Sequence, residues 1–182
     1  TLQIGAGGTS GSLGSGTVTN NATLRFNRSD DVTVANAISG TGELVKEASN
    51  TLTLTSNNTY SGTTTINAGT LVLQHDAPNP TSKTFAGTGV LRIQSAAASF
   101  SSAFSTSGWN FGNSLTGLTL GKSGNTSGMT VATALSVNGP ISIFGGAVTL
   151  SNSLTTTDAS TGNIGITTSG LTGAGGISLA DG

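Results

Sequence analysis

The only histidine of the chain stands beside a carboxylate, in Gln74-His75-Asp76-Ala77-Pro78. An imidazole oriented by Asp is the arrangement that activates a serine nucleophile. Adjacent residues on a strand point to opposite faces, however, and no strained nucleophile turn accompanies this pair, so His75 reads as a solvated residue entering a proline turn. Carboxylates come as two pairs, Asp30-Asp31 and Glu43/Glu47. Two carboxyl groups about 5 to 10 Å apart are what glycoside hydrolysis requires. Here Arg25 and Arg28 share the neighbourhood of Asp30 and Asp31, and such a mixture reads as a local cluster of surface ion pairs, each worth less than about 1 kcal/mol.

Other motifs fail on spacing. Gly173-Ala174-Gly175-Gly176 is followed by an Asp only at 181, too far for a calcium-binding nonapeptide turn. Gly117-Leu118-Thr119-Leu120-Gly121-Lys122-Ser123 approaches a phosphate loop, but three residues separate its glycines where that loop needs four. The absence of cysteine removes disulfides, thiolate metal sites and thiol nucleophiles. Six Lys and Arg and seven Asp and Glu make up the whole charge inventory, and past Arg92 only Lys122, Asp158 and Asp181 remain. The expectation is a protein without catalytic, cofactor-binding or metal-ligating residues, hence not an enzyme.

The elements that would position any such groups are short. Apolar-x-apolar triplets recur at Leu2-Gln3-Ile4, Leu24-Arg25-Phe26, Val32-Thr33-Val34, Leu52-Thr53-Leu54, Leu71-Val72-Leu73 and Leu91-Arg92-Ile93. They resume at Leu118-Thr119-Leu120, Leu135-Ser136-Val137, Ile141-Ser142-Ile143, Val148-Thr149-Leu150, Ile164-Gly165-Ile166 and Ile177-Ser178-Leu179. Such alternation is the period-2 mark of a strand with one buried face. Starts at 2, 24 and 44, and at 32, 52, 71 and 91, are 19 to 22 residues apart, the length of a coil that holds two or three strands and returns one rung higher. Gly5-Ala6-Gly7-Gly8 and Ser56-Asn57-Asn58 supply corner conformations. The spacing predicts an all-β, parallel β-helix of roughly nine coils, a rod on the order of 40 Å, in which Leu24, Leu44 and Leu71 stack. An antiparallel sandwich is the rival reading of the same triplets.

Composition fits a solenoid. Apolar residues are 34% and charged residues 7%, against an ordinary charged quarter, while 28 Gly join abundant Thr, Ser and Asn. A net charge of −1 offers no broad cationic surface for nucleic acid or anionic membrane. No run reaches the roughly 18 apolar residues of a membrane span, so membrane insertion is not expected. Thr1 follows no initiator Met and the chain stops in a repeat-like phrase, which reads as a fragment of a longer array.

The chain divides into coils over 1–93, an aromatic and Ala-rich insertion or irregular coil over 94–117, and further coils over 118–182. In the middle stretch Ala96-Ala97-Ala98 precedes Phe100 and Phe104, whose i,i+4 spacing suits a short helix. Phe100, Phe104, Trp109 and Phe111 read either as aromatics packed over an open coil flank or as a ligand platform for sugar.

Ser39-Gly40-Thr41-Gly42-Glu43-Leu44-Val45-Lys46, then Thr51-Leu52-Thr53-Leu54-Thr55, Asn58-Thr59-Tyr60-Ser61-Gly62-Thr63-Thr64 and Ile66-Asn67-Ala68-Gly69-Thr70-Leu71 together resemble the autotransporter-associated β-strand repeat of passenger domains. Residues 1–37 look like the connecting sequence that commonly precedes it, and from about Gly112 the chain is similar to filamentous-haemagglutinin-like surface proteins. The family usually places glycines where Glu47-Ala48-Ser49-Asn50 stands here, which alters one turn. The resemblance implies a right-handed β-helical passenger or adhesin stalk, extracellular at the bacterial surface or secreted, with no catalytic residue and no cofactor. Its expected partners are neighbouring repeats of the same polypeptide, end-to-end copies of itself, or a host or surface glycan. The alternatives are an ice-binding β-solenoid, invited by Thr51-Leu52-Thr53-Leu54-Thr55 and Thr63-Thr64-Thr65, or a polysaccharide-binding or cleaving β-helix. Against a uniform ice-ordering ladder, the central residues of the triplets run Gln3, Arg25, Thr53, Val72, Arg92, Thr119, Ser136, Ser142, Thr149, Gly165 and Ser178.

Overall fold

A strand of three or four residues cannot stand alone, because both its edges carry unpaired backbone groups and its apolar face is too small to hold it. In a computed structural model, which describes residues 1–76 and 82–179, each strand solves this by pairing parallel with a strand of a neighbouring turn. The result is a β-solenoid of about eight turns, with no helix among the described residues.

One sheet runs through the stack as a spine. It orders Val32–Val34, Thr51–Leu54, Thr70–Gln74, Val90–Gln94, Gly117–Leu120, Ile141–Phe144 and Ile164–Thr167. Its registers form two inward columns. Val32, Leu52, Leu71, Leu91, Leu118, Ile141 and Ile164 make the first, and Val34, Leu54, Leu73, Ile93, Leu120, Ile143 and Ile166 the second. Alternation at period 2 is therefore kept in register from rung to rung, and like residues meet like.

The other two sides of the coil are paired in separate sheets along the rod. Leu2–Ile4, Thr23–Phe26, Glu43–Lys46, Thr64–Ile66, Lys83–Gly87 and Trp109–Phe111 form one flank of the first half. Its inward column reads Leu2, Leu24, Leu44, Thr64, Phe85 and Phe111. Leu24 and Leu44 stack as expected, but Leu71 belongs to the spine beside Leu52, because residues 44 and 71 are on different sides of the coil. In the second half the flanks are Phe104–Ser105, Met129–Val131, Ala147–Leu150 and Gly170–Thr172, and Leu135–Val137, Leu154–Thr156 and Ile177–Ser178.

At residues 94–117 the strand pairing of these flanks is interrupted, although Leu135–Val137 still packs against Trp109–Phe111 on the same side. Leu91 and Leu118 are register neighbours, so the stretch is one lengthened turn of the same spiral, with two short strands in it. The short helix expected at Phe100 and Phe104 is absent. Their rings stack at 5.2 Å between centroids, while the Phe100 N–H is taken by Asn125 Oδ1 of the next turn at 3.2 Å and not by a helical carbonyl.

Corners need backbone that side chains would obstruct. Gly40, at φ +99°, and Gly69, at φ +67°, lie in the left-handed region, and a Cβ on either would come within 2.3 Å of a carbonyl oxygen of the turn beneath.

Leu71 and Leu91 are fully buried, so Leu71→Ala and Leu91→Ala should each lower unfolding free energy by about 2 to 5 kcal/mol. Outward Thr53→Ala should change it by less than about 0.5 kcal/mol. Urea titration followed by circular dichroism measures all three, and equal effects at Leu71 and Thr53 would contradict the inward assignment.

Candidate functional site

The residues with chemical potential are dispersed. His75 is buried, with its ring edge-on to Trp109 at 5.8 Å between centroids. The expectation of a solvated turn histidine is thus corrected: the position just after a spine strand turns the imidazole into the core, while Pro78 lies outside the described residues. The Asp76 backbone N–H donates to Asn57 Oδ1 at 3.1 Å. Asp30 is bidentate to Arg28, which holds its carboxyl below the usual range. Asp31 Oδ1 caps the N–H of Thr51 at 2.7 Å. Arg25 pairs not with either Asp but with Glu47 one turn on, and Glu47 also accepts from Asn67 Nδ2 at 2.8 Å. The expected four-residue cluster is therefore two separate ion pairs. Asp158 is held low by hydrogen bonds from Thr161 and Ser160. Among the described residues no three His, Asp or Glu side chains come together, and Asp181 lies outside them.

The four candidate platform aromatics are in the core. Phe100, Phe104, Trp109 and Phe111 expose 5%, 3%, 2% and 8% of their surfaces. Trp109 stands at the centre, edge-on to Phe104 at 5.3 Å, tilted on Phe85 at 5.6 Å and on Phe111 at 6.3 Å. A platform needs an open ring face, and these faces are spent on one another. They fill the lengthened turn of the solenoid.

The central triplet residues also sort differently from the single column read off the sequence. They fall on separate sheets, and the spine's own outward column reads Thr33, Thr53, Val72, Arg92, Thr119, Ser142 and Gly165. This is no repeating Thr ladder.

What the core does hold is a set of buried polar groups. Lys46 follows inward Leu44 by two residues, so the same alternation carries it inward, between Phe26 and Ile66. Its ammonium donates to Ala48 O, Asn50 Oδ1 and Ala68 O at a corner. Lys83 precedes inward Phe85 by two residues and is buried likewise. It donates to Tyr60 O at 2.7 Å and lies 4.0 Å from the centre of the Tyr60 ring. Tyr60 shares a 2.7 Å hydrogen bond with Thr64. Asn58 accepts from the Ile38 N–H of the previous turn at 2.8 Å and donates to Ser56 O at 2.7 Å. Asn20 and Asn125 bridge turns in the same way, donating to Glu43 O and Phe144 O. These side chains satisfy backbone groups where strand pairing lapses at corners.

From Leu44 to Leu73 the chain completes one turn and lays two more strands on it: Leu44 meets Thr64, Leu52 meets Leu71 and Leu54 meets Leu73. The Asn58–Tyr60 corner sits between. That span matches the family model described as the passenger-associated-transport-repeat. The chain is also 42% identical over 74 residues to the adhesin BmaC autotransporter of Brucella suis, covering 41% of this chain and 2% of that protein. It is 42% identical over 67 residues to the uncharacterized protein YuaQ of Escherichia coli, covering 36% of this chain and 5% of that one. The chain thus spans a small part of these curated relatives. No solved structure matches it. In the passenger repeat, Lys46, Asn50, Asn58 and Tyr60 are corner fastenings, and their arrangement offers structural cohesion in place of a reacting centre.

Burial pushes the Lys46 ammonium down to about 8, with the Asp31 charge pulling back, and burial alone pushes Lys83 down to about 8. Both are near 10.5 when unfolded, so between about pH 8 and 10.5 the unfolded chain binds more protons and stability rises with pH; below pH 8 the cost of the charges is fully present. Tyr60 acts oppositely: burial pushes it up to about 12, so stability falls from pH 10 to 12. The urea midpoint should therefore climb from pH 8 to a maximum near pH 10. Replacing Lys46 and Lys83 by Met should flatten that climb, and a flat profile for the parent chain would show that neither lysine is desolvated.

Proposed function

We propose that the chain is a non-catalytic stalk segment of a bacterial surface or secreted adhesin, a spacer that carries a binding region away from the cell and stacks on neighbouring repeats. The unbroken spine from Val32–Val34 to Ile164–Thr167 carries this reading. Seven strands at about 4.8 Å spacing make a length on the order of 30 Å in that sheet alone, and every rung rests on its neighbours. The passenger repeat and the likeness to an autotransporter adhesin support it. So does the dispersal of the titratable groups, since catalysis needs them convergent.

The apolar ends of the described stack support the stacking part of this reading. Large apolar side chains exposed among the described residues are Leu2 at 54%, Leu171 at 50%, Ile177 at 51% and Leu179 at 54%, all in the first and last turns. Edge strands there present unpaired backbone groups, the natural template for a further coil. In the second half little charge opposes such pairing.

Isolated in solution, the 182-residue chain should associate end to end, with mass by light scattering rising with concentration. Ile177→Asp together with Leu179→Asp should suppress association while leaving the strand signal of the interior rungs. A clean monomer at millimolar concentration would overturn the stacking part of the reading.

A further inference from the structure

Of the six cationic side chains, Arg25 and Arg28 are ion-paired and Lys46 and Lys83 are buried. The remaining two lie together. Arg92 is exposed on the outward face of the spine and makes no ion pair or side-chain hydrogen bond among the described residues, and Lys122 sits at the adjoining corner, donating to Ala96 O at 3.2 Å. With Gln94, Thr119, Ser142 and Phe144 they line a cavity of about 290 Å³ that no carboxylate enters.

Phe144 is the exception among the aromatics. All the other Phe residues, Tyr60 and Trp109 are buried, whereas Phe144 is half exposed. Alternation explains why: Ile141 and Ile143 point inward, so Ser142 and Phe144 face solvent. In the adjoining turn Gly121 packs against the Phe144 carbonyl, where a Cβ would come within 2.3 Å of the oxygen, and Thr167 is the register partner of Phe144 on the other side. Beyond Phe144 a second cavity of about 310 Å³ is lined by Asn125, Thr126, Thr167, Thr168 and Ser169. Phe144 is thus the shared wall of a polar groove that crosses three turns.

A partly exposed ring, hydroxyl and amide side chains on both sides, and two uncompensated cations match a particular ligand chemistry. A sugar ring lays its apolar C–H face on an aromatic, its hydroxyls exchange hydrogen bonds with Ser, Thr, Asn and Gln, and a carboxylate or sulfate takes Arg and Lys. Two cations are too few to track a nucleic-acid backbone, whose affinity grows with each phosphate neutralised. We propose that this face of the spine binds an acidic saccharide, with Phe144 as the stacking platform and Arg92 and Lys122 as the anion clamp. The proposal is independent of the stalk reading, since a stalk is complete without it.

The test is titration calorimetry of the full chain with an oligogalacturonate and a heparin-derived oligosaccharide. A neutral dextran oligomer and a single-stranded oligonucleotide of similar length serve as comparisons. At least one acidic sugar should bind, more weakly at about 0.5 M than at about 0.05 M salt. Phe144→Ala should weaken it at least about tenfold, and Arg92→Gln and Lys122→Gln each about threefold or more, with circular dichroism unchanged. The proposal is overturned if neither acidic sugar binds at millimolar concentration, if Phe144→Ala binds as the parent does, or if the dextran or oligonucleotide binds as tightly.

Discussion

The structure depends on one requirement: every short strand must be paired in register by a strand of a neighbouring turn. Backbone groups left without partners in an apolar interior are costly, and strands of two to five residues have no other source of cohesion. Parallel stacking in register satisfies this and, as a by-product, sets Leu on Leu and Ile on Ile along the spine. Low apolar content is then no handicap, because the core is a pair of narrow columns shared by every rung and not a globular centre.

The second layer of the structure answers what strands leave undone. Corners interrupt pairing, and there buried amides and ammonium groups reach between turns: Asn20 to Glu43, Asn58 to Ile38, Asn125 to Phe144, Lys46 to the carbonyls of Ala48 and Ala68. A buried ammonium is tolerable when carbonyls surround it or an aromatic face lies beneath it, and the protein uses both devices. The passenger repeat of residues 44–73 concentrates them, which gives its polar letters a mechanical meaning.

Much of this is legible in the sequence. Apolar triplets with steps near 20 identify the solenoid, and the registers Leu2–Leu24–Leu44 and Val32–Leu52–Leu71–Leu91 are those the spacing implies. What the triplets do not reveal is on which side of the coil each lies, so Leu71 was expected above Leu44, and Gln3 and Thr53 in one outward column. Alternation also accounts for three polar or aromatic positions. Lys46 and Lys83 stand two residues from inward positions and Phe144 one residue from an inward Ile, so burial of the first two and exposure of the third follow from the same period. The aromatic stretch misleads for a different reason: i,i+4 spacing near alanines has a local helical meaning, while the neighbours that decide its conformation are a whole turn away.

The lengthened turn at residues 94–117 bears on how such a rod can change length over generations. Whole-turn duplication elsewhere would restack on itself, since an incoming rung meets the same three sides above and below. A copy of the lengthened turn would have to bring its aromatic filling with it, because Phe100, Phe104, Trp109 and Phe111 pack on one another inside that turn. Length variation should therefore run through the regular turns and leave this one single.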